Sequence, residues 1–222
     1  MATSPRYPVP ARTHRVAQEI QRSRFIATVE HVPTVEAATA FVRRVSEEFA
    51  DATHNCWAYV VGPPGSTARV GMSDDGEPHG TAGRPMLTTL LHSGVGDVAA
   101  VVTRYYGGTK LGTGGLVRAY GGTLRSALDD LPLGEHVEYA RLLVVLGYPS
   151  VAGVQQLLPA YEAELLAQEF LVDVALTVRL PVGRVEAFQA AVQDATRGRA
   201  LITPADDEAD GPSAPDHHAV GG

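Results

Sequence analysis

Five glycines lie in the sequence Arg104-Tyr-Tyr-Gly-Gly-Thr-Lys-Leu-Gly-Thr-Gly-Gly-Leu-Val-Arg-Ala-Tyr120. The segment before it, Asp97 to Thr103, is short, apolar and rich in valine, which predicts a buried strand. After it, apolar residues recur at helical spacing from Leu116 to Leu131. The sequence is therefore predicted to run from a strand, through a loop that holds all five glycines, into the first turns of a helix.

This predicted loop has the chemistry of an anion-binding site. A helix N-terminus carries unpaired N–H groups and a partial positive charge, and glycines let a ligand approach the backbone closely. Lys110 is the only lysine of the chain, and Arg118, one helical turn after Gly114, is predicted to face the same ligand. The alternative is a structural connection in which the lysine is incidental. The predicted anion-binding residues are Arg84, Arg104, Gly108, Lys110, Thr113, Gly114, Gly115 and Arg118.

Neither common nucleotide-binding motif is present here. A Walker loop needs Gly-Lys followed by Ser or Thr, but Lys110 lies between Thr109 and Leu111. The dinucleotide pattern would begin at Gly112 and would place Val117 where its third glycine belongs. The anion-binding prediction therefore depends only on exposed amides, a helix terminus and nearby cations.

A second polar segment, Ser73 to Arg84, leads into another predicted helix and is interpreted as a rim of the site. The rim residues are His54, Asp74, Asp75, Glu77 and His79. Their spacing matches no established metal-ligand pattern, and an Asp-Asp-Gly sequence is typical of a turn. Cys56 is predicted to be a core residue of a strand rather than a nucleophile. We therefore predict no catalytic residue, no metal and no cofactor.

Composition limits the class of protein and its partners. The chain has 222 residues, 45% of them hydrophobic, and one cysteine, so it forms no internal disulfide and suits a reducing compartment. No apolar run approaches the roughly 20 residues of a membrane span, and we predict a cytoplasmic protein without membrane contact. The net charge is −7, and five acidic residues follow Pro204. A broad basic surface is excluded, so any contact with nucleic acid is predicted to be a local patch.

The order of predicted elements indicates an α+β chain of two domains. Residues 1–133 contain a hairpin over 13–31, a helix capped by Thr34, and the strand, loop and helix described above. Residues 134–203 follow the order β-α-β-β-α-β of a ferredoxin-like domain, with Ser150 capping its first helix. Residues 1–10 are predicted to be a loose lead, Pro132-Leu-Gly134 a linker, and residues 204–222 a disordered acidic tail.

Three separated motifs of this chain closely resemble the Impact/YigZ family, over roughly residues 15–203. They are His54-Asn-Cys-Trp-Ala-Tyr59, Ser73-Asp-Asp-Gly-Glu-Pro-His-Gly-Thr-Ala-Gly-Arg-Pro85 and the glycine-rich sequence Arg104 to Tyr120. The resemblance implies a bacterial member with two domains. It implies that the first has the left-handed βαβ fold shared with a small-subunit ribosomal protein. The second would resemble the last domain of elongation factor G.

The function implied by the resemblance is translation regulation, by contact with RNA, the ribosome or a protein partner of the translation machinery. The leading hypothesis is a non-enzymatic binding protein that holds phosphate groups through the cations named above. One alternative is an enzyme that acts on a phosphorylated small molecule, for which Asp74, Asp75 and His79 are the available acid–base groups. Another is a protein–protein adaptor in which the glycine-rich motif is structural, and the lack of a basic excess favours it over general RNA binding.

Overall fold

The computed structural model describes residues 6–205, which divide into two compact units. The first unit covers residues 6–136, and the second begins at Val137. The predicted acidic tail falls, from residue 206 onward, outside the described residues, as do residues 1–5 of the predicted lead. The division lies three residues after the predicted boundary at 133/134, because residues 133–136 form a strand of the first unit.

The first unit is built on a five-stranded antiparallel sheet of order β2-β3-β6-β4-β5, with a separate ribbon formed by β1 and β7. Its elements are β1 (Tyr7–Pro10), β2 (His14–Ile20), β3 (Ser23–His31), α1 (Val35–Glu48), β4 (His54–Val60), β5 (Val70–Ser73), α2 (Gly83–Leu91), β6 (Val98–Tyr105), α3 (Gly112–Asp129) and β7 (Leu133–His136). Strands β3 and β4 both pair with β6, so they are parallel to each other and are joined through α1. The chain therefore contains the expected βαβ unit.

The central strand β6 is apolar along its length because both of its faces are covered. Val98, Ala100 and Val102 pack in a core with residues of α2 and α3, whereas Ala99 and Val101 pack in a second core with α1. A strand buried on both faces shows a continuous apolar run instead of alternation. The two helices α2 and α3 thus lie on the same side of the sheet, and this arrangement positions the loops on which the predicted site depends.

The ribbon of β1 and β7 differs from the sequence prediction. Tyr7 pairs with His136 and Pro10 with Leu133, so residues 7–10 of the predicted lead and residues 133–134 of the predicted linker lie in strands. The Tyr7 hydroxyl donates to Asp97 at 2.7 Å and so ties the ribbon to the start of β6. Both strands have only four residues, and β1 contains two prolines. Such short segments give no readable periodicity, and their pairing is decided by contacts far apart in the chain.

The second unit is the ferredoxin-like domain that the sequence predicts. Its elements are β8 (Tyr139–Leu146), α4 (Val151–Leu157), β9 (Glu164–Phe170), β10 (Val174–Pro181), α5 (Val185–Thr196) and β11 (Leu201–Pro204). They form an antiparallel sheet of order β11-β8-β10-β9, whose core includes Leu176 and Phe188. Ser150 precedes α4 but its side chain makes no cap bond, since a short 3-10 turn leads into that helix. Within residues 6–205, no helix is long and apolar enough to cross a membrane.

Candidate functional site

Helix α3 begins inside the glycine-rich sequence, earlier than predicted. Only Gly107 and Gly108 of the five glycines lie in the loop, and the other three belong to the first turn of the helix. The residue before the helix, Leu111, offers no side-chain cap, and the first turn contains no acidic residue. Among residues 6–205, no side chain therefore caps the first N–H groups of α3, and no acidic residue of the first turn offsets their partial positive charge.

Two of the five glycines, one in the loop and one in the first turn of α3, differ in the space that surrounds them. A Cβ atom on Gly107 would lie 1.8 Å from the carbonyl oxygen of Arg22, so only glycine lets the loop pack against the β2–β3 turn. The Gly107 N–H donates to the Ser23 hydroxyl at 3.2 Å and holds that contact. Gly114 is different, because a Cβ atom there would meet nothing within 4 Å. Its exposed surface is open to a ligand.

Arg104 is buried in an ion pair rather than presented to solvent as predicted. Its residue is 5% exposed, and its Nη1 donates to Oε1 of Glu77 at 2.6 Å. The guanidinium carbon lies over the rings of Phe25 and Tyr106, at 5.4 and 5.5 Å from their centroids. Glu77 is therefore not an open rim residue either, since it is a buried counter-ion. The Nε of Arg104 has no hydrogen-bond partner among the described residues.

Tyr120 and Cys56 contribute a buried hydroxyl and a buried thiol to the same region. The Tyr120 hydroxyl donates to the same Glu77 oxygen at 2.7 Å, and burial raises the pKa of Tyr120. The Cys56 thiol donates to the carbonyl oxygen of Asp74 at 3.0 Å, and burial raises its pKa to about 12. The thiol is therefore protonated at neutral pH, and a protonated thiol is a poor nucleophile.

Asp74 caps helix α2. Its carboxylate accepts N–H bonds from Gly80, Ala82 and Gly83 at 2.7, 3.0 and 2.8 Å. Burial acts to raise the pKa of Asp74, but these N–H donors hold it below its usual range. Because its acceptor sites are occupied by backbone donors, the side chain stabilises the polar segment before α2.

The other predicted rim residues belong to the same internally bonded turn or to its edge. Asp75 accepts an N–H bond from Asn55 at 2.5 Å, and its carbonyl oxygen lies 2.7 Å from Nδ1 of His54. His79 is exposed, with its Nδ1 3.7 Å from the Asp74 carboxylate. The segment from Ser73 to Arg84 is therefore a turn held by internal hydrogen bonds, and most of its polar groups are not free to bind a ligand. Within residues 6–205, no group of three or more His, Cys, Asp and Glu side chains is placed to hold a metal ion.

Several predicted anion-binding residues meet at a cavity beside the start of α3. The cavity has a volume of about 390 Å³, and Lys110, which is exposed, reaches it together with Thr113 and the buried Arg104. Within the part of the chain that the structure describes, Lys110 forms no salt bridge. The complete lining is Glu77, Pro78, Arg104, Tyr106, Lys110, Leu111, Gly112, Thr113 and Leu116. We call it the α3 cavity.

The remaining predicted cations, Arg84 and Arg118, lie in a different place. They line a groove of about 460 Å³ between α2 and α3, together with Arg125, and all three arginines are exposed. Arg118 and Lys110 were predicted to face one ligand, but the structure places them on two different surfaces. The other lining residues are Gly80, Pro85, Thr88, Thr89, Val117, Gly121 and Gly122, and none of them is acidic. We call this surface the arginine groove.

Arg125 was missed by the sequence reasoning, although a signal for it was present. It follows Arg118 by seven residues, and positions seven apart lie on the same face of a helix. Gly121 and Gly122 lie between them and leave the bottom of the groove free of bulky side chains. Gly108, Gly114 and Gly115 line neither the α3 cavity nor the arginine groove.

Comparison with known proteins matches both units. The Impact N-terminal domain family matches residues 21–128, and a domain of unknown function, DUF1949, matches residues 144–199. The chain is 44% identical over 190 residues to the IMPACT family member YigZ of Escherichia coli (strain K12), covering 86% of this chain and 93% of that protein. It is 41% identical over 196 residues to an IMPACT family member of Haemophilus influenzae, covering 88% and 95% of the two chains. A crystal structure of a hypothetical protein superposes with a TM-score of 0.64 at 41% identity, covering 91% of this chain and 98% of that one.

Proposed function

We propose, since the chain belongs to the Impact family, that it is a non-enzymatic regulator of translation that binds the phosphate groups of RNA in the cytoplasm. The family resemblance supports the connection with translation, and the arginine groove supports the type of contact. The groove is a local basic patch on a protein of net charge −7, which is the form of nucleic-acid surface that the composition allows.

The observation that carries this proposal is the combination of three exposed arginines with an acid-free lining. Guanidinium groups bind phosphate oxygens through two parallel N–H bonds, and they remain charged at any physiological pH. Arg84 comes from the first turn of α2, whereas Arg118 and Arg125 lie two turns apart on one face of α3. Such a row of cations between two helices suits successive phosphates of a strand and reads no base sequence.

The geometry of the buried network supports the non-enzymatic part of the proposal. The Cys56 thiol has a pKa of about 12, and the carboxylates of Asp74 and Glu77 are occupied by structural donors. None of these groups is free to act as a nucleophile or general base in the way that hydrolysis requires. Purified protein should accordingly leave peptide and phosphate-ester substrates unchanged. Turnover that disappears in Asp74→Ala or Cys56→Ala would instead support the enzyme alternative.

A titration of labelled single-stranded RNA, and in parallel of ribosomes, tests the binding proposal. Arg118→Gln and Arg125→Gln should each weaken RNA binding roughly tenfold, since a charge-assisted contact is worth about 1.5–3 kcal/mol. Each should also reduce the salt slope of the binding constant by about one unit. Arg43→Gln is the matched control, because Arg43 is an exposed arginine of α1, which packs against the opposite face of the sheet. Equal losses in all three variants, or none, would contradict a role for the arginine groove.

A further inference from the structure

The α3 cavity is lined by both polar groups and apolar side chains. Lys110, Gly112 and Thr113 lie together where α3 begins, at the helix terminus that favours negative charge. Pro78, Leu111 and Leu116 line the cavity with hydrocarbon. A site of this composition suits a ligand with an anionic group at one end and a flat, weakly polar body at the other.

Arg104 adds an independent indication that the cavity is made for a ligand. It lines the cavity while being only 5% exposed, and its Nε–H is without a partner in the described residues. A buried donor left unsatisfied costs stability, so such groups are rare and call for a specific reason. The rest of the guanidinium is already used, since it donates to Glu77 at 2.6 Å and to Ser23 at 3.3 Å, and a ligand oxygen in the cavity would supply the acceptor that Nε–H lacks.

Tyr106 supplies the flat surface. Its residue is 46% exposed, and its ring lies against the Arg104 guanidinium on one side. Aromatic side chains at the edge of a nucleic-acid site stack on bases, and stacking tolerates any base because each has a π face. The volume of about 390 Å³ lies near the lower end of small-molecule pockets, roughly 300–1,000 Å³. One nucleotide is of this size, whereas a longer stretch of strand is not.

We propose that the α3 cavity binds a nucleoside 5′-monophosphate, with the phosphate at Lys110, Gly112 and Thr113 and the base against Tyr106. The ligand has two sources of the same chemistry, a free mononucleotide or the 5′-phosphorylated end of an RNA strand. In the second case the inference rests on the proposed RNA binding, since the arginine groove would then hold the body of the strand. Free nucleotide tests the cavity independently of that groove.

Calorimetric titration of the full chain with AMP, adenosine and inorganic phosphate is the primary test. AMP should bind more tightly than either fragment, because only AMP carries both the phosphate and the base. Lys110→Ala and Tyr106→Ala should each weaken AMP binding about tenfold, whereas Arg43→Gln should leave it unchanged. A parallel titration with 5′-phosphorylated and 5′-hydroxyl forms of one RNA identifies the source, and a preference for the phosphorylated form that Lys110→Ala removes supports the strand end.

A second measurement needs no variant. Because Lys110 is the only lysine, peptide mass spectrometry can follow its reaction with an amine-reactive reagent separately from that of the α-amino group. AMP should slow the reaction of Lys110, whereas adenosine should not. Two results would overturn the inference. The first is that the protein binds no AMP and shows no preference for 5′-phosphorylated RNA. If RNA affinity still depends on Arg118 and Arg125 in that case, the proposed function stands although the inference fails. The other is equal binding of phosphate and AMP with no effect of Tyr106→Ala, which would reduce the cavity to a general anion site.

Discussion

Replacing Glu77 with glutamine should destabilise the first unit, because it removes the counter-ion of a buried guanidinium. The side chains of Arg104 and Glu77 are 6% and 3% exposed, and their ion-pair atoms are 2.6 Å apart. Removing one partner of a buried pair costs about 3–5 kcal/mol, since the other charge is left uncompensated. Glutamine keeps an acceptor for Tyr120, so we expect the lower end of that range, about 3 kcal/mol. For a unit of this size, that corresponds to a fall in Tm of roughly 10 °C.

The chain provides its own probe for this measurement. Trp57 is the only tryptophan and lies in β4, so urea unfolding followed by its fluorescence reports on the first unit. Glu47→Gln is the matched control, because Glu47 is exposed on α1, and its substitution should change the free energy of unfolding by less than about 0.5 kcal/mol. The double variant Glu77→Leu/Arg104→Met removes both charges and should be more stable than Glu77→Gln alone.

Two outcomes would refute the reasoning. A loss below about 1 kcal/mol for Glu77→Gln, at an unchanged urea dependence, would mean that the Arg104 charge is solvated and not buried. The second outcome is a double variant that is less stable than Glu77→Gln. It would mean that the loss in Glu77→Gln does not come from the uncompensated charge of Arg104.

The other predictions concern single positions of the first unit. Gly107→Ala should lower the free energy of unfolding by about 1–3 kcal/mol, because its Cβ atom would overlap the carbonyl oxygen of Arg22. Gly114→Ala should be neutral or stabilising by up to about 1 kcal/mol, since a Cβ atom there meets nothing within 4 Å. Similar losses of Tm in the two variants would contradict this. The lowered pKa of Asp74 means that its contribution to stability is complete above about pH 4, the ordinary Asp value, and is lost as the pH falls through the lower folded pKa. Urea titrations at several pH values should show this loss in wild type and a weaker pH dependence in Asp74→Ala, and identical profiles would contradict it. Cys56 should react with a thiol reagent only after unfolding, so stoichiometric labelling of native protein at pH 7 would contradict its burial and its pKa of about 12.

Periodicity predicted most of the elements, because each was specified by neighbours in the sequence. The helix capped by Thr34 is α1, and the Thr34 side chain accepts the expected bond from the Ala37 N–H at 3.1 Å. The β2–β3 hairpin turns at Gln21 and Arg22, whose positive φ values of 47° and 69° are those of a tight two-residue turn. The β1–β7 ribbon escaped prediction, since its two short strands lie more than 120 residues apart in the chain.

The structure brings some of the predicted site residues together and separates others. Lys110 is exposed at a helix start as expected, because local composition determines both the loop and the helix that follows. Arg104 could not be distinguished from Arg118 by sequence, although one is buried against Glu77 and the other is exposed. That difference arises from a contact between residues 27 positions apart, which no local pattern encodes.

The amino-acid sequence was therefore enough to predict an α+β fold of two domains, the family, and a glycine-rich sequence that leads into α3. Which cations are available to a ligand, and how they divide between the α3 cavity and the arginine groove, follows from the packing of the folded chain. The physical reason is that secondary structure follows from backbone preferences and apolar spacing over a few residues. The availability of a charge depends instead on which distant side chain neutralises it and on which side of the packed helix it emerges.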